Sequence, residues 1–187
     1  QTMPEARLLL VGGKPDQIER ARGETRAAGI ADVTIFAGER PADEIPAYLL
    51  ACDVLVSPRS RGTNTPLKIY QYLRSGTPIV ATRLLTHTQV LTDETAILTG
   101  ATAMELGEGI LEALRNKEHA AAVGEHARRL AETKYSYEAY LERTRQAYDM
   151  LFEGASASRL IDATDSARAL SREGEGLPAR RHLAPRE

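Results

Sequence analysis

The run Val54-Leu-Val-Ser-Pro-Arg-Ser-Arg-Gly-Thr-Asn-Thr-Pro-Leu-Lys-Ile-Tyr-Gln-Tyr-Leu-Arg-Ser-Gly-Thr-Pro-Ile-Val-Ala-Thr82 decides the fold. Val54 to Val56 is short, apolar and β-branched at both ends, the pattern of a buried strand. Thr65-Pro66 opens a helix: Thr suits the N-cap, and Pro suits the first helical position, where no N–H is needed. Gly76 ends that helix, and Pro78 to Thr82 is the next strand. A strand, a crossover helix and a second strand in this order predict a parallel pair.

The same alternation extends outward. Arg7 to Val11 reads as a buried strand ending in Gly12-Gly13, and Pro15-Asp16 open a helix to about Ala28 that Gly29 closes. Val33 to Phe36 reads as a second strand, Pro46 to Cys52 as a short helix, and Ala96 to Thr99 as a fifth strand. Beyond Ala103 the pattern is helical, over Met104 to Asn116, His119 to Tyr135, and a last helix capped by Ser136 and running toward Gly154. The expected architecture is a doubly wound, Rossmann-like parallel sheet with extra C-terminal helices, one domain over residues 1–154. Residues 155–187 form a tail, loosely helical over Arg159 to Leu170 and disordered from Arg172. Ligands of such sheets sit outside the carboxyl ends of the strands.

Composition narrows the function. Lys+Arg total 24 against Asp+Glu 26, a net charge of −2, and there is no Trp. Neither a polybasic footprint nor an aromatic stacking platform is present, so nucleic acid is not an expected partner. The single Cys52 allows no intrachain disulfide, and the histidines show no metal-ligand spacing. No apolar run nears the roughly 20 residues of a membrane span and Gln1 to Glu5 lack a signal-peptide pattern, so a cytoplasmic location is expected. The chain starts at Gln1 rather than Met, which reads as a piece of something longer.

Loops at the carboxyl ends of the strands carry the candidate chemistry. In Ser57 to Lys68, the small polar side chains of Thr63, Asn64 and Thr65 stand beside a helix N-terminus. Gly62 permits close backbone approach, and Arg59, Arg61 and Lys68 add positive charge. Exposed N–H groups and cations favour an anion, so the loop reads as a phosphate cradle, or else as a capped helix with a solvated basic loop. It is no Walker A loop, and Gly12-Gly13-Lys14 is no dinucleotide fingerprint. Gly12 and Gly13 suit a close ligand or a plain turn. Gln71, three residues after Lys68, can reach a ribose or stand exposed. Thr86-His-Thr-Gln89 can touch a sugar or phosphate, or His87 can be an ordinary surface histidine. Asp93-Glu94 reads as a solvated turn at the opposite edge of the sheet. No nucleophile elbow is present.

Val33-Thr-Ile-Phe-Ala-Gly38, Ile45-Pro-Ala-Tyr48, Ala51-Cys-Asp-Val-Leu-Val-Ser-Pro58 and, most specifically, Pro66-Leu-Lys-Ile-Tyr-Gln-Tyr-Leu-Arg-Ser-Gly-Thr-Pro-Ile-Val-Ala81 resemble the retaining "group 1" glycosyltransferases. This is glycosyltransferase family four, with the GT-B fold. The resemblance spans about Ala6 to Leu151 and matches the C-terminal half, the donor-binding half, of such enzymes.

It implies a nucleotide-sugar partner, no cofactor and no metal. Gly12 and Gly13 would lie near the donor diphosphate, and Glu39 and Arg40 would border the base. Thr63, Asn64, Thr65, Pro66 and Leu67 would face the phosphates, with Arg59 and Lys68 stabilising their charge. Gln71 and Thr63 occupy the two positions where the family carries its Glu-x7-Glu pair. The N-terminal GT-B domain, with acceptor groups and any peripheral membrane contact, would lie outside this chain. The fragment alone would then be inactive, and its last helix could leave an apolar face open to self-association. The alternatives are a degenerate, non-catalytic nucleotide-binding module, or another GT-B enzyme such as a sugar-nucleotide epimerase.

Overall fold

The computed structural model describes residues 3–152; the expected tail, with its loose helix and disordered end, lies outside the described residues. The chain divides into two compact units, Gln1–Thr133 and Lys134–Glu187.

In the first unit, β1 (Leu8–Val11), α1 (Pro15–Ala27), β2 (Thr34–Gly38), α2 (Ile45–Leu50), β3 (Leu55–Ser57), α3 (Lys68–Ser75), β4 (Ile79–Thr82), α4 (Leu85–Thr88), β5 (Ile97–Thr99), α5 (Ala103–Arg115) and α6 (Lys117–Lys134) follow one another. Every strand pairing is parallel, as the alternation requires. The hydrogen-bonded ladders form two sheets, β1-β2 and β3-β4-β5.

The expectation of a buried first strand is therefore corrected. With β2 as its one ladder partner, β1 leaves Leu8 and Val11 exposed, as β2 does Ile35. The buried centre is β4, all four of whose residues, Ile79 to Thr82, are inaccessible. Val80, Ile97, Ala113 and Ala120 form one core cluster, with Val54, Leu106 and Ile110 packed against it. Gly109 lets α5 lie close on the sheet: a Cβ there would overlap the Thr99 methyl group. Thr102 caps α5, accepting from the Glu105 N–H at 3.2 Å while the Glu105 carboxylate accepts from the Thr102 N–H at 3.2 Å.

Helix α3 starts later than Thr65-Pro66 predicts. Its N-cap position is Leu67, already helical at φ −55° and ψ −30°, and no side chain caps it. The first turn is instead closed by tight bonds, Ile69 N–H to the Pro66 carbonyl (3.0 Å) and Tyr70 N–H to the Leu67 carbonyl (3.2 Å). Gly76 ends the helix at φ 73°, as expected.

In the second unit, residues 137–152 are helical, and Ser136 caps them by accepting from the Ala139 N–H at 3.1 Å. This helix exposes Tyr140, Leu141, Tyr148 and Leu151. Among the described residues no helix is long and apolar enough to cross a membrane.

Candidate functional site

The loop leaving β3 begins at Ser57, which is wholly buried. Three side chains from β4 and the segment after it then grip its carbonyls. Thr82 Oγ1 donates to the Arg59 carbonyl (2.7 Å), Thr86 Oγ1 donates to the Asn64 carbonyl (2.6 Å), and the Gln89 side-chain amide donates to the Thr63 carbonyl. The loop N–H groups are treated differently. Those of Arg61, Gly62, Thr63, Asn64 and Thr65 donate to no group among the described residues. Gly62 sits at φ 125°, and a Cβ there would stand 3.1 Å from Arg59 Nη1. The turn thus needs glycine for its backbone and leaves room for the guanidinium. Asn64 and Leu67 are exposed, and Thr65 and Pro66 half-buried, so nothing among the described residues plugs the helix tip.

Positive charge gathers behind this backbone. Arg59 and Lys68 are half-buried, and neither forms an ion pair among the described residues. Burial lowers the pKa of the Lys68 ammonium, and the neighbouring Arg59 charge lowers it further. Lys68 Nζ lies 5.4 Å from the centre of the Tyr72 ring.

His87 is fully buried beside them, which corrects the reading of a surface histidine. Its Nδ1–H donates to the Thr82 carbonyl at 2.7 Å, and its Nε2 lies 2.9 Å from Ser57 Oγ. Burial holds its pKa down, the Thr82 carbonyl partly offsets this, and Lys68 and Arg59 depress it again. With Nδ1 donating, the neutral ring accepts the Ser57 hydroxyl proton at Nε2. Three basic groups thus lie within electrostatic reach of one another.

The remaining expected residues occupy a second place. Gly12 N–H donates to the Gly38 carbonyl at 2.7 Å, joining the turns after β1 and β2. Gly12, Gly13 and Gly38 all have positive φ. Glu39 is exposed; Arg40 donates from Nε to the Ala37 carbonyl (2.9 Å) and lies 5.9 Å from the Tyr48 ring centre. No hydrogen bond among the described residues joins these turns to the Arg59–Lys68 cluster. Gln71 is exposed on α3.

Asp93 and Glu94 lie in an exposed turn, as expected, and Asp93 has a partner the sequence did not indicate. Its carboxylate takes a two-pronged bond from Arg83, with Nη1 to Oδ2 at 3.0 Å, just past the carboxyl end of β4. The pairing holds the Asp93 carboxyl below its usual range. A hollow of about 280 Å³ between β5 and α5 is lined by Glu105, Glu108 and Glu112, so its charge opposes an anion.

Sequence reasoning missed Ser57, Thr82 and the buried state of His87. The available signal was the polar spacing Thr82, Thr86, His87, Gln89 directly after an apolar strand, where a plain turn would not need so many donors.

The wider likenesses agree with this architecture. A segment of 55 residues, 29% of this chain, is 46% identical to 2-deoxystreptamine N-acetyl-D-glucosaminyltransferase of Streptomyces fradiae, where it covers 13% of the protein. Sucrose-phosphate synthase of Thermosynechococcus elongatus superposes with a TM-score of 0.71 at 26% identity, over 82% of this chain and 40% of that one. HepE of Anabaena, solved in complex with UDP, gives 0.69 at 20% identity, over 80% and 42%. The chain therefore spans less than half the length of these relatives. Residues 1–130 match the family described as "Glycosyl transferases group 1", and the chain belongs to that family.

Proposed function

We propose that this chain is the donor-binding half of a retaining glycosyltransferase, which takes the diphosphate of a nucleotide sugar and assists its departure. The observation that carries this is the pairing of loop N–H groups from Arg61 to Thr65, without a hydrogen-bond partner among the described residues, with two cations, Arg59 and Lys68, that form no ion pair among those residues. An isolated protein gains nothing from crowding unpaired cations; an incoming anion relieves their repulsion. When the bond between the sugar carbon and the diphosphate oxygen breaks, negative charge grows on that oxygen. Preorganised N–H groups and cations then stabilise the transition state more than the ground state.

In this reading Arg59 and Lys68 carry the phosphate charge without a metal ion. Thr63, Asn64, Thr65, Pro66 and Leu67 face the phosphates, and Thr63 also lies at the sugar side. Gln71 meets the ribose, Gly12 and Gly13 lie near the diphosphate, and Glu39 and Arg40 border the base. The anion-bound complex of HepE makes UDP the natural first probe. The acceptor site belongs to a partner domain, so this half alone binds but does not turn over its donor, in a cytoplasmic setting. The exposed apolar residues of the 137–152 helix further support self-association of the isolated half.

Calorimetry with UDP, GDP and uridine, each with EDTA, tests the reading. Heat from a diphosphate but none from uridine supports it; no heat from either diphosphate at millimolar concentration overturns it. A second reading, a nucleotide-binding module without catalysis, is favoured by neutral Thr63 and Gln71 at the two positions read as acidic in the family. Sugar release from a nucleotide sugar by the full-length protein discriminates between them.

A further inference from the structure

We propose that Thr86, with Gln89 and Thr82, forms a set of positioning residues that hold the Arg59–Thr65 loop in its open-handed shape by binding its carbonyls. The inference rests on the nucleotide reading for its ligand, but its geometry stands apart. The three donors come from a single segment, residues 82–89, and each seizes a different carbonyl of the loop: Arg59, Asn64 and Thr63. A peptide unit has its C=O and N–H on opposite sides. Tying one carbonyl to the protein therefore turns the N–H of the next residue away from it. The Thr63 and Asn64 carbonyls belong to the peptide units that carry the Asn64 and Thr65 N–H groups, two of those without a partner among the described residues.

The burial of the donors argues the same way. Thr86 is inaccessible, while Asn64, whose carbonyl it serves, is exposed. Asn64 is otherwise at the surface, so the bond is what anchors this part of the loop to the buried Thr86 hydroxyl. What the hydroxyl adds is a fixed place for the loop, and preorganisation of this kind raises affinity by cutting the ordering cost of binding. Thr86 Oγ1 also borders Gly62, whose Cβ position would lie 4.0 Å from it, so the same atom backs the turn beside Arg59.

The test uses Thr86→Val, which keeps the shape and removes the donor, Thr86→Ser, which restores the donor, and Gln89→Leu at an exposed position that does not threaten folding. Trypsin reads the loop directly, since Arg59 and Arg61 are its cleavage sites there. Cleavage at these two sites is expected to be several-fold faster in Thr86→Val and Gln89→Leu and near wild-type in Thr86→Ser. UDP affinity is expected to fall about five-fold in the first two, the scale of one net hydrogen bond, with Tm nearly unchanged. Wild-type cleavage rates in both folded donor-deletion variants overturn the proposal, as does faster cleavage that Thr86→Ser fails to reverse. If wild-type protein shows no affinity for UDP, the nucleotide reading falls, while the proteolysis still decides the positioning role. If Thr86→Val does not fold, Gln89→Leu decides it.

Discussion

The Nε2 atom of His87 lies 2.9 Å from the hydroxyl oxygen of Ser57, and both residues are completely buried. Ser57 ends β3 and His87 belongs to α4, so the contact ties the root of the phosphate loop to the segment that grips the loop's carbonyls. The imidazole sits near Lys68 and Arg59, both of which oppose its protonation.

That environment has a pH consequence. The folded state disfavours the imidazolium, so the unfolded chain binds the proton more readily, from about pH 6.5 downward. Stability from neutral His87 is complete above that pH and is lost as pH falls through the depressed folded value. Tm should therefore begin to drop as pH falls below about 6.5, before ordinary carboxylates titrate. His87→Gln should start from a lower Tm and lose this slope. Thermal unfolding by circular dichroism across that range checks it; an equal slope in the variant would remove His87 as its source.

Lys68 forms no ion pair among the described residues, and its substitution separates binding from folding. Lys68→Met keeps an apolar stem of similar length and removes the charge, which lies 5.4 Å from the Tyr72 ring centre. UDP affinity should fall about ten-fold or more, as for loss of a charge-assisted bond, while Tm holds or rises. Calorimetry and a thermal melt together read the two effects.

Gly109 should tolerate no side chain. Gly109→Ala drives a methyl group into Thr99 and toward Val80, in the core between α5 and the second sheet. Overpacking of this type costs about 1–3 kcal/mol, and a urea melt measures it. Gly107→Ala, two residues earlier with no atom near its Cβ position, should stabilise slightly through helix propensity.

If the bare face of the 137–152 helix drives self-association, sedimentation velocity should show a larger species growing with concentration. Leu151→Glu with Tyr148→Glu should leave one monomeric boundary.

Much of the fold was legible because its signals are local. Gly76 as a left-handed helix end, Ser136 as a cap and the alternation of apolar strands with helices all follow from residues close in sequence. Thr65-Pro66 misled for the opposite reason. The Thr63 and Asn64 carbonyls are taken by Gln89 and Thr86, residues 26 and 22 positions away, and a tight turn at Pro66 and Leu67 then sets where α3 begins. The cradle's basic residues could be read from type and order. The burial of His87 could not, since it depends on Ser57 and Thr82 closing around the ring. Asp93 likewise precedes β5, yet its partner Arg83 follows β4, a pairing that only the folded register creates.

The central claim is that the backbone between Arg61 and Thr65 receives a diphosphate. Titrating isotopically labelled protein with UDP and following each backbone amide by nuclear magnetic resonance tests it most directly. The largest shifts are expected on the amides of Gly62, Thr63, Asn64 and Thr65. Shifts confined to other parts of the chain, with these four unmoved at saturating UDP, would contradict it.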